Sequence, residues 1–345
     1  MVSGVLTTRE VFQLNNVQGG LRPGAINFKS VSLASDRFAC VRDLQPDGQT
    51  SLAVVDIERS ESERHNIKDA EAAIMNPRAR ILALRSGNNV QIFNLEVRQR
   101  LKSATMTDGV VFWRWISATL IVTEGQAEPE KVFDRAPEID ASVQVLNYHV
   151  DAEMKWFMLN GVARTEAGLM GKTQLYTVEN GASRVLDGHA GCFMSMATPN
   201  DTRLSNVMCL AWTGAQGGQL LMMELPTASK PDSSFERKVI ALNIPTQGDF
   251  PVFARISPQH KLLTVITSRG LAIVVDVITG TVITSEQVTP HVIFCGTAWE
   301  KTGGALCINN QGSVFHVSIN NDVIARHINT TLHNPEMALR VASNA

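Results

Sequence analysis

His189 and Cys192, three residues apart in DGHAGC, are the nearest thing to a nucleophile and base in this 345-residue chain. A thiol nucleophile needs a base within hydrogen-bond reach and a third group to orient that base. The neighbouring sequence supplies no orienting group, so a turn histidine beside a core cysteine accounts for both residues. Glu128 and Glu130 in AEPE form no convincing acid–base pair, and Arg135 beside Asp134 favours a plain surface ion pair there. The chain carries no GxSxG elbow, HExxH pair, phosphate-binding P-loop or GxGxxG turn. These residues point away from catalysis.

A second constellation, QIFNLEVRQR from Gln91 to Arg100, suits binding better. Gln91 and Phe93 sit two apart on an alternating strand, and Arg98 and Arg100 follow. An extended ligand puts successive side chains on opposite faces. Apolar residues spaced by two could then enter pockets lined by Phe93 and Leu82, its backbone could meet Gln91, and its acidic end could meet Arg98 and Arg100. On the residues alone the plainer reading comes first: Phe93 is a core residue and the arginines are a solvated turn.

The elements that must hold such a strand follow from the whole chain. A 44% apolar composition is ample for a packed core. A formal charge of −2 gives no global attraction for nucleic acid or an anionic membrane, so any charged partner must be met by a local patch. The five cysteines, Cys40, Cys192, Cys209, Cys295 and Cys307, are scattered through apolar runs and contain no CxxC spacing. They read as buried reduced thiols, with no metal site and no cofactor. The N-terminus lacks a basic segment followed by an apolar stretch, and no run reaches the ~18 apolar residues of a membrane helix. A cytoplasmic protein without direct membrane insertion is expected.

One phrase recurs: an apolar run, a polar or glycine-containing turn, then a strand alternating towards a polar residue. The copies are FACVRDLQPDGQTSLAVVDI, ILALRSGNNVQIFNLE, WFMLNGVARTEAGLMGKTQLYTVE, CLAWTGAQGGQLLMMEL, LLTVITSRGLAIVVDVITG and ALCINNQGSVFHVSI. Each is a hairpin signal. The late polar residues Asp56, Asn94, Thr177, Glu224, Asp276 and Ser318 recur mostly at ~40 to 50 residues, the period of a four-stranded propeller blade. The gap from Asn94 to Thr177 is about twice that, so a seventh copy is expected around WISATLIVTEGQAEPEKVFDR. The fold class predicted is all-β, a seven-bladed β-propeller over 1–330. Residues 331–345 begin an α-helical segment, with Asn334 as N-cap and Pro335 at the first helical position.

The segment AIMNPRARILALRSGNNVQIFNLEVRQRLKSATMTDGVVFWRWIS resembles the terminal domain of the clathrin heavy chain family, as do NFKSVSLASDRFACVR, QLYTVENGASRVLDGHA, DFPVFARIS, TGTVI and LHNPEMALR, in order along the chain. The resemblance implies a seven-bladed propeller followed by an α-helical zigzag linker. It implies no reaction. It further implies capture of short linear motifs of adaptor and accessory proteins on the cytoplasmic face of coated pits and coated vesicles. Light-chain binding and heavy-chain trimerisation would belong to regions outside this chain.

By the same resemblance, the groove for the clathrin-box peptide lies between the first two blades and matches Gln91, Phe93, Arg98 and Arg100, with Asn89 and Leu82 nearby. The family has lysines where Arg98 and Arg100 stand; charge is kept, but a planar fork replaces a point charge. A second motif site on the central top face matches Phe28, Gln144 and Leu146. A third groove maps near Gly181 to Leu186, where NGASRVL departs from the family, and Glu10 matches a residue of a fourth site. Against the family, ATLIVTEGQAEPEKVFDR is short by about ten residues, a strand plus its turn, so the third unit is expected to be incomplete. The competing reading is a scaffold binding a folded partner through Phe112, Trp113 and Trp115 in FWRW.

Overall fold

A computed structural model describes residues 4–45, 48–67, 70–106, 112–115, 118–119, 121–124, 135–140, 142–166, 168–198, 201–227, 230, 233–301 and 303–344. Among these, six antiparallel four-stranded sheets and one strand pair follow one another along the chain. Strand β1 (Leu6–Gln13) comes first but pairs with the last strand. The first sheet is β2 (Val31–Leu33), β3 (Phe38–Leu44), β4 (Thr50–Asp56) and β5 (Glu61–Ile67); the second is β6 (Ala72–Met75), β7 (Ile81–Ser86), β8 (Asn89–Asn94) and β9 (Gln99–Thr105). The pair is β10 (Phe112–Trp115) and β11 (Ile121–Glu124). Next come β12 (Val143–Val150) to β15 (Ser183–Asp187) with β13 (Trp156–Thr165) and β14 (Gly168–Thr177) between them, then β16 (Ala190–Thr198), β17 (Asp201–Gly214), β18 (Gly217–Leu225) and β19 (Lys238–Leu242). The chain ends its β region with β20 (Pro251–Ile256), β21 (Leu262–Thr267), β22 (Leu271–Asp276) and β23 (Val282–Gln287), and with β24 (Ile293–Trp299), β25 (Gly304–Asn309) and β26 (Ser313–Ile319) closed by β1.

The repeated phrase of the sequence is the two middle strands of each four-stranded sheet. These strands are paired on both sides and packed on both faces, so they carry apolar runs such as TSLAVVD in β4, which is buried throughout. The outermost strands are polar, as in ESERHNI and QRLKSAT. The polar residues that mark the repeat stand at or near the end of the third strand, where several close the next turn. Asp56 Oδ1 accepts from Arg59 N at 3.2 Å, Asn94 Oδ1 from Glu96 N at 2.9 Å, and Asp276 Oδ2 from Thr279 N at 3.0 Å.

The innermost strand of each sheet, or the residue just before it, reaches one central cavity. Its lining includes Val31, Ile74, Arg114, Leu146, His189 and Phe250, and also Cys295. Neighbouring sheets pack edgewise around it, and β24 touches both β20 and β2, so the succession returns to its start. The fold is all-β and propeller-like, and pairing with β1 covers the free edge of β26 that an open sheet would expose.

Two helices follow, and the first begins upstream of the boundary expected at 330/331. Helix α1 (Asn321–Thr331) is capped by Asn320, whose side chain accepts from Asp322 N at 3.2 Å. Only Ile324 and Ile328 of its residues are buried, and threonine and asparagine are weak helix formers, which hides the helix from a periodicity reading. Helix α2 (Pro335–Ser343) has the expected cap, with Asn334 Oδ1 accepting from Met337 N at 2.9 Å. Both pack on one apolar cluster with Phe253, Ile266 and Phe315 of the last two sheets. Arg340 also reaches back to Asp276 at 2.7 Å.

Candidate functional site

The seam between the first and second sheets gathers most of the groove residues named above. Leu82, Leu84, Gln91 and Phe93 share one face, because Leu82 pairs with Phe93 and Leu84 with Gln91. That face meets Leu52, Val54 and Phe38 of the first sheet. Leu82 is 2% exposed and belongs to this apolar cluster, so it forms the sealed base of the seam and lines no open pocket. This corrects the expectation that it walls a pocket. Phe93 is half-buried and, among the described residues, joins none of the apolar clusters. Asn89 is exposed at the other end of β8, and its Oδ1 accepts from Thr105 Oγ1 at 2.7 Å.

A β-bulge decides which side chain stands beside Phe93. The register slips between Ile92 and Phe93, so Ile92 faces Lys102 and Phe93 faces Arg100, with Leu101 left over. Cross-strand partners share a face, so the slip sets Arg100 opposite Phe93 and leaves Leu101 outward, 51% exposed. Arg98 sits in the preceding turn with φ +52°, and Asn94 Oδ1 supports that turn by accepting from Glu96 N. Both arginines are exposed, and neither makes an ion pair among the described residues.

The opposite wall comes from β5. Glu63 and His65 pair across from Val54 and Leu52, which places them on the seam side. Glu63 is ion-paired with Arg80, and His65 Nε2 lies 3.3 Å from its Oε1. The groove is therefore polarised, with an internally satisfied acid on one wall and free cations on the other. Sequence reasoning missed Glu63, His65 and Arg80. The alternation of ESERHNI against the apolar SLAVV of β4 was the available signal.

Phe28, ahead of β2, and Gln144 and Leu146 of β12 all line the central cavity, whose volume is about 720 Å³. Phe28 is 44% exposed and Gln144 is exposed, which places them at an opening. The same cavity is lined by Arg114, which donates to Asn147 Oδ1 and was not anticipated from the sequence. Burial lowers the pKa of Arg114, and burial followed by the charge of Arg114 brings His149 down to about 3. Burial also pushes the Cys295 thiol up to about 12, which leaves it an inert wall residue.

The remaining candidates separate. His189 is buried with its Nδ1 accepting from Thr213 N and its Nε2 facing Leu169 O, both at 3.3 Å, which fixes a neutral tautomer. Burial takes it down to about 4. Cys192 pairs across the sheet with Cys209, so no thiol–imidazole dyad forms. Trp113 and Trp115 are each 9% exposed and pack on Ala83 and Val90 of the second sheet, which removes them as a surface hot spot. The Phe112 side chain, together with Glu128, Glu130 and Asp134, lies outside the described residues. Gly181 to Leu186 forms the outer hairpin of the β12–β15 sheet, with Leu186 packed on the Met158 and Leu210 cluster. Glu10 borders a hollow of about 310 Å³ with His291 and Gln311. Among the described residues no group of three or more metal-ligating side chains converges, and no helix is long and apolar enough to cross a membrane.

The fold and its seams define an all-β, propeller-like domain that presents grooves between radial sheets around a central cavity. The chain is 32% identical over 346 residues to the "Probable clathrin heavy chain 1" of Caenorhabditis elegans, covering 96% of this chain and 20% of that one. It is 30% identical over 347 residues to the clathrin heavy chain of Drosophila melanogaster, covering 97% of this chain and 20% of that one. It is thus a homologue of the clathrin heavy chain, over a segment consistent with the N-terminal domain. The chain spans about a fifth of the length of the curated relatives it matches. Among solved structures, the β-propeller domain of Cps50 (Swd1) from Myceliophteria thermophila overlaps 87% of this chain and 98% of its own, at 9% identity and a TM-score of 0.47. No family model matches the chain.

Proposed function

We propose that this chain is the peptide-binding propeller of a vesicle coat protein, and that it catalyses no reaction. It captures short acidic linear motifs of adaptor proteins, of the clathrin-box type, in the seam between the first two sheets. The observation that carries the reading is Phe93, half-buried outside the apolar clusters, with Arg100 turned beside it by a bulge and Arg98 free in the adjoining turn. An extended peptide could lay an apolar residue on Phe93, meet Gln91 with its backbone and bring its acidic end to the two guanidinium groups. Phe28, Gln144 and Leu146 would serve a second motif at the cavity mouth. The β10–β11 pair is read as the third blade of seven, and the region 1–330 as the binding domain. Adaptors reach the chain at the cytoplasmic face of coated pits; trimerisation and light-chain contacts belong to segments outside this chain.

Calorimetric titration of a clathrin-box peptide tests the proposal. A Kd in the micromolar range or weaker is expected, because a small interface must offset the ordering of a flexible chain. Binding should weaken as salt is raised and be lost in Phe93→Ala and in the Arg98→Glu/Arg100→Glu pair. Affinity unchanged by both variants would refute the assignment of this seam.

A further inference from the structure

The central cavity holds a cation that meets no carboxylate among the described residues of its wall. Phe28, Val31, Leu33, Trp113, Phe250 and Val292 make much of its lining apolar or aromatic. The cationic side chains are Arg114 and Arg269, and among the described residues no aspartate or glutamate lines it. Arg269 is exposed, whereas Arg114 is half-buried, near the neutral Cys295 of the last sheet and the neutral His149 of β12. Of the five donors a guanidinium carries, one goes to Asn147 Oδ1, and among the described residues Arg114 makes no ion pair. A half-buried cation in a largely apolar space of ligand size, with no acid facing it among the described residues, leaves donors that an anion could take.

We propose that the central cavity is a binding site for a small amphipathic monocarboxylate, whose carboxylate is taken by the Arg114 fork and whose aromatic or aliphatic body fills the apolar space. One interior guanidinium matches one carboxylate bidentately. A phosphate dianion would call for a second interior cation, and Arg269 stands exposed instead. The inference is independent of the peptide seam, since neither Phe93 nor Arg100 lines the cavity.

The test uses the whole chain with 2-naphthylacetate and its uncharged counterpart 2-(2-naphthyl)ethanol, followed by calorimetry and by tryptophan fluorescence, Trp113 being in the wall. The acid should bind roughly tenfold or more tightly than the alcohol, the scale of a charge-assisted hydrogen bond. Arg114→Gln should erase that preference while leaving alcohol binding unchanged, and Arg114→Lys should retain part of it. Equal binding of acid and alcohol to the native chain, or absence of acid binding, overturns the proposal without recourse to a variant. So does a preference that survives Arg114→Gln, or one that Arg269→Gln abolishes instead. A clathrin-box peptide titrated beside saturating 2-naphthylacetate should keep its affinity; whether that peptide binds at all is a separate outcome.

Discussion

Leu82 and Phe93 stand directly opposite each other on adjacent strands, on the same face of the second sheet, yet one is sealed and the other half open. The divergence arises because Leu82 lies one strand nearer the ring axis, where Val54 and Met75 close over it. Base and rim of one groove thus differ, with Leu82 held by packing and Phe93 left with a half-open face for the proposed peptide. Leu82→Ala should lower unfolding free energy by about 2–5 kcal/mol, the range for a buried leucine that leaves a cavity. Phe93→Ala should cost distinctly less stability and more peptide affinity. Urea unfolding and calorimetry on both variants would show the two losses separating; equal losses in both assays would mean that base and rim are one unit.

Lys230 and Glu224 form a buried ion pair at 2.7 Å, with side chains 5% and 2% exposed. Burial opposes ionisation of Glu224, but the Lys230 ammonium, Ser205 and the backbone of Phe235 and Ser234 outweigh it and bring the carboxyl down to about 2. Lys230→Met strands that carboxylate and should destabilise the chain by about 3–5 kcal/mol, whereas Lys230→Met with Glu224→Leu should recover much of the loss. Chemical denaturation of the two variants measures it.

His189 predicts an acid-sensitive ring. Its folded pKa of about 4 lies below the ~6.5 of an unfolded histidine, so between those values the unfolded chain binds the extra proton. Its contribution is whole above that unfolded value and is lost as pH falls towards 4, about 2 kcal/mol between pH 7 and 5. Denaturation midpoints should drop over that interval, and His189→Gln should flatten the slope.

Strand β1 supplies the fourth strand of the final sheet, and Glu286 of β23 steadies its start by accepting from Val5 N at 2.9 Å. Removal of residues 1–13 should bare the β26 edge and produce concentration-dependent association, visible as a rise in mass by light scattering. A monomer as stable as the parent would show that β1 is dispensable.

The middle strands and their turn residues were legible in the sequence because burial on both faces writes long apolar runs. The bulge at Phe93 was not, since a slipped register leaves composition untouched; Arg100 is readable in the spacing of QIFNLEVRQR, and only the pairing shows why it, and not Leu101, stands opposite Phe93. Trp113 and Trp115 were readable as core, but Arg114 between them points elsewhere, and its surroundings come from β12 and β24, far away in sequence. Helix α1 escaped because two buried isoleucines make too thin an apolar stripe.

Asn320, the residue on which α1 begins, donates its backbone N–H to Val5 O at 2.8 Å, directly after β26 and beside the strand that closes it. Tension drawn along the helices therefore reaches the molecule at its closing joint, where β1 and β26 would have to shear together, a whole ladder at once. The seam at Phe93 lies in another sector of the wheel, off that line of force. A load carried by these two helices would leave the proposed peptide seam mechanically undisturbed.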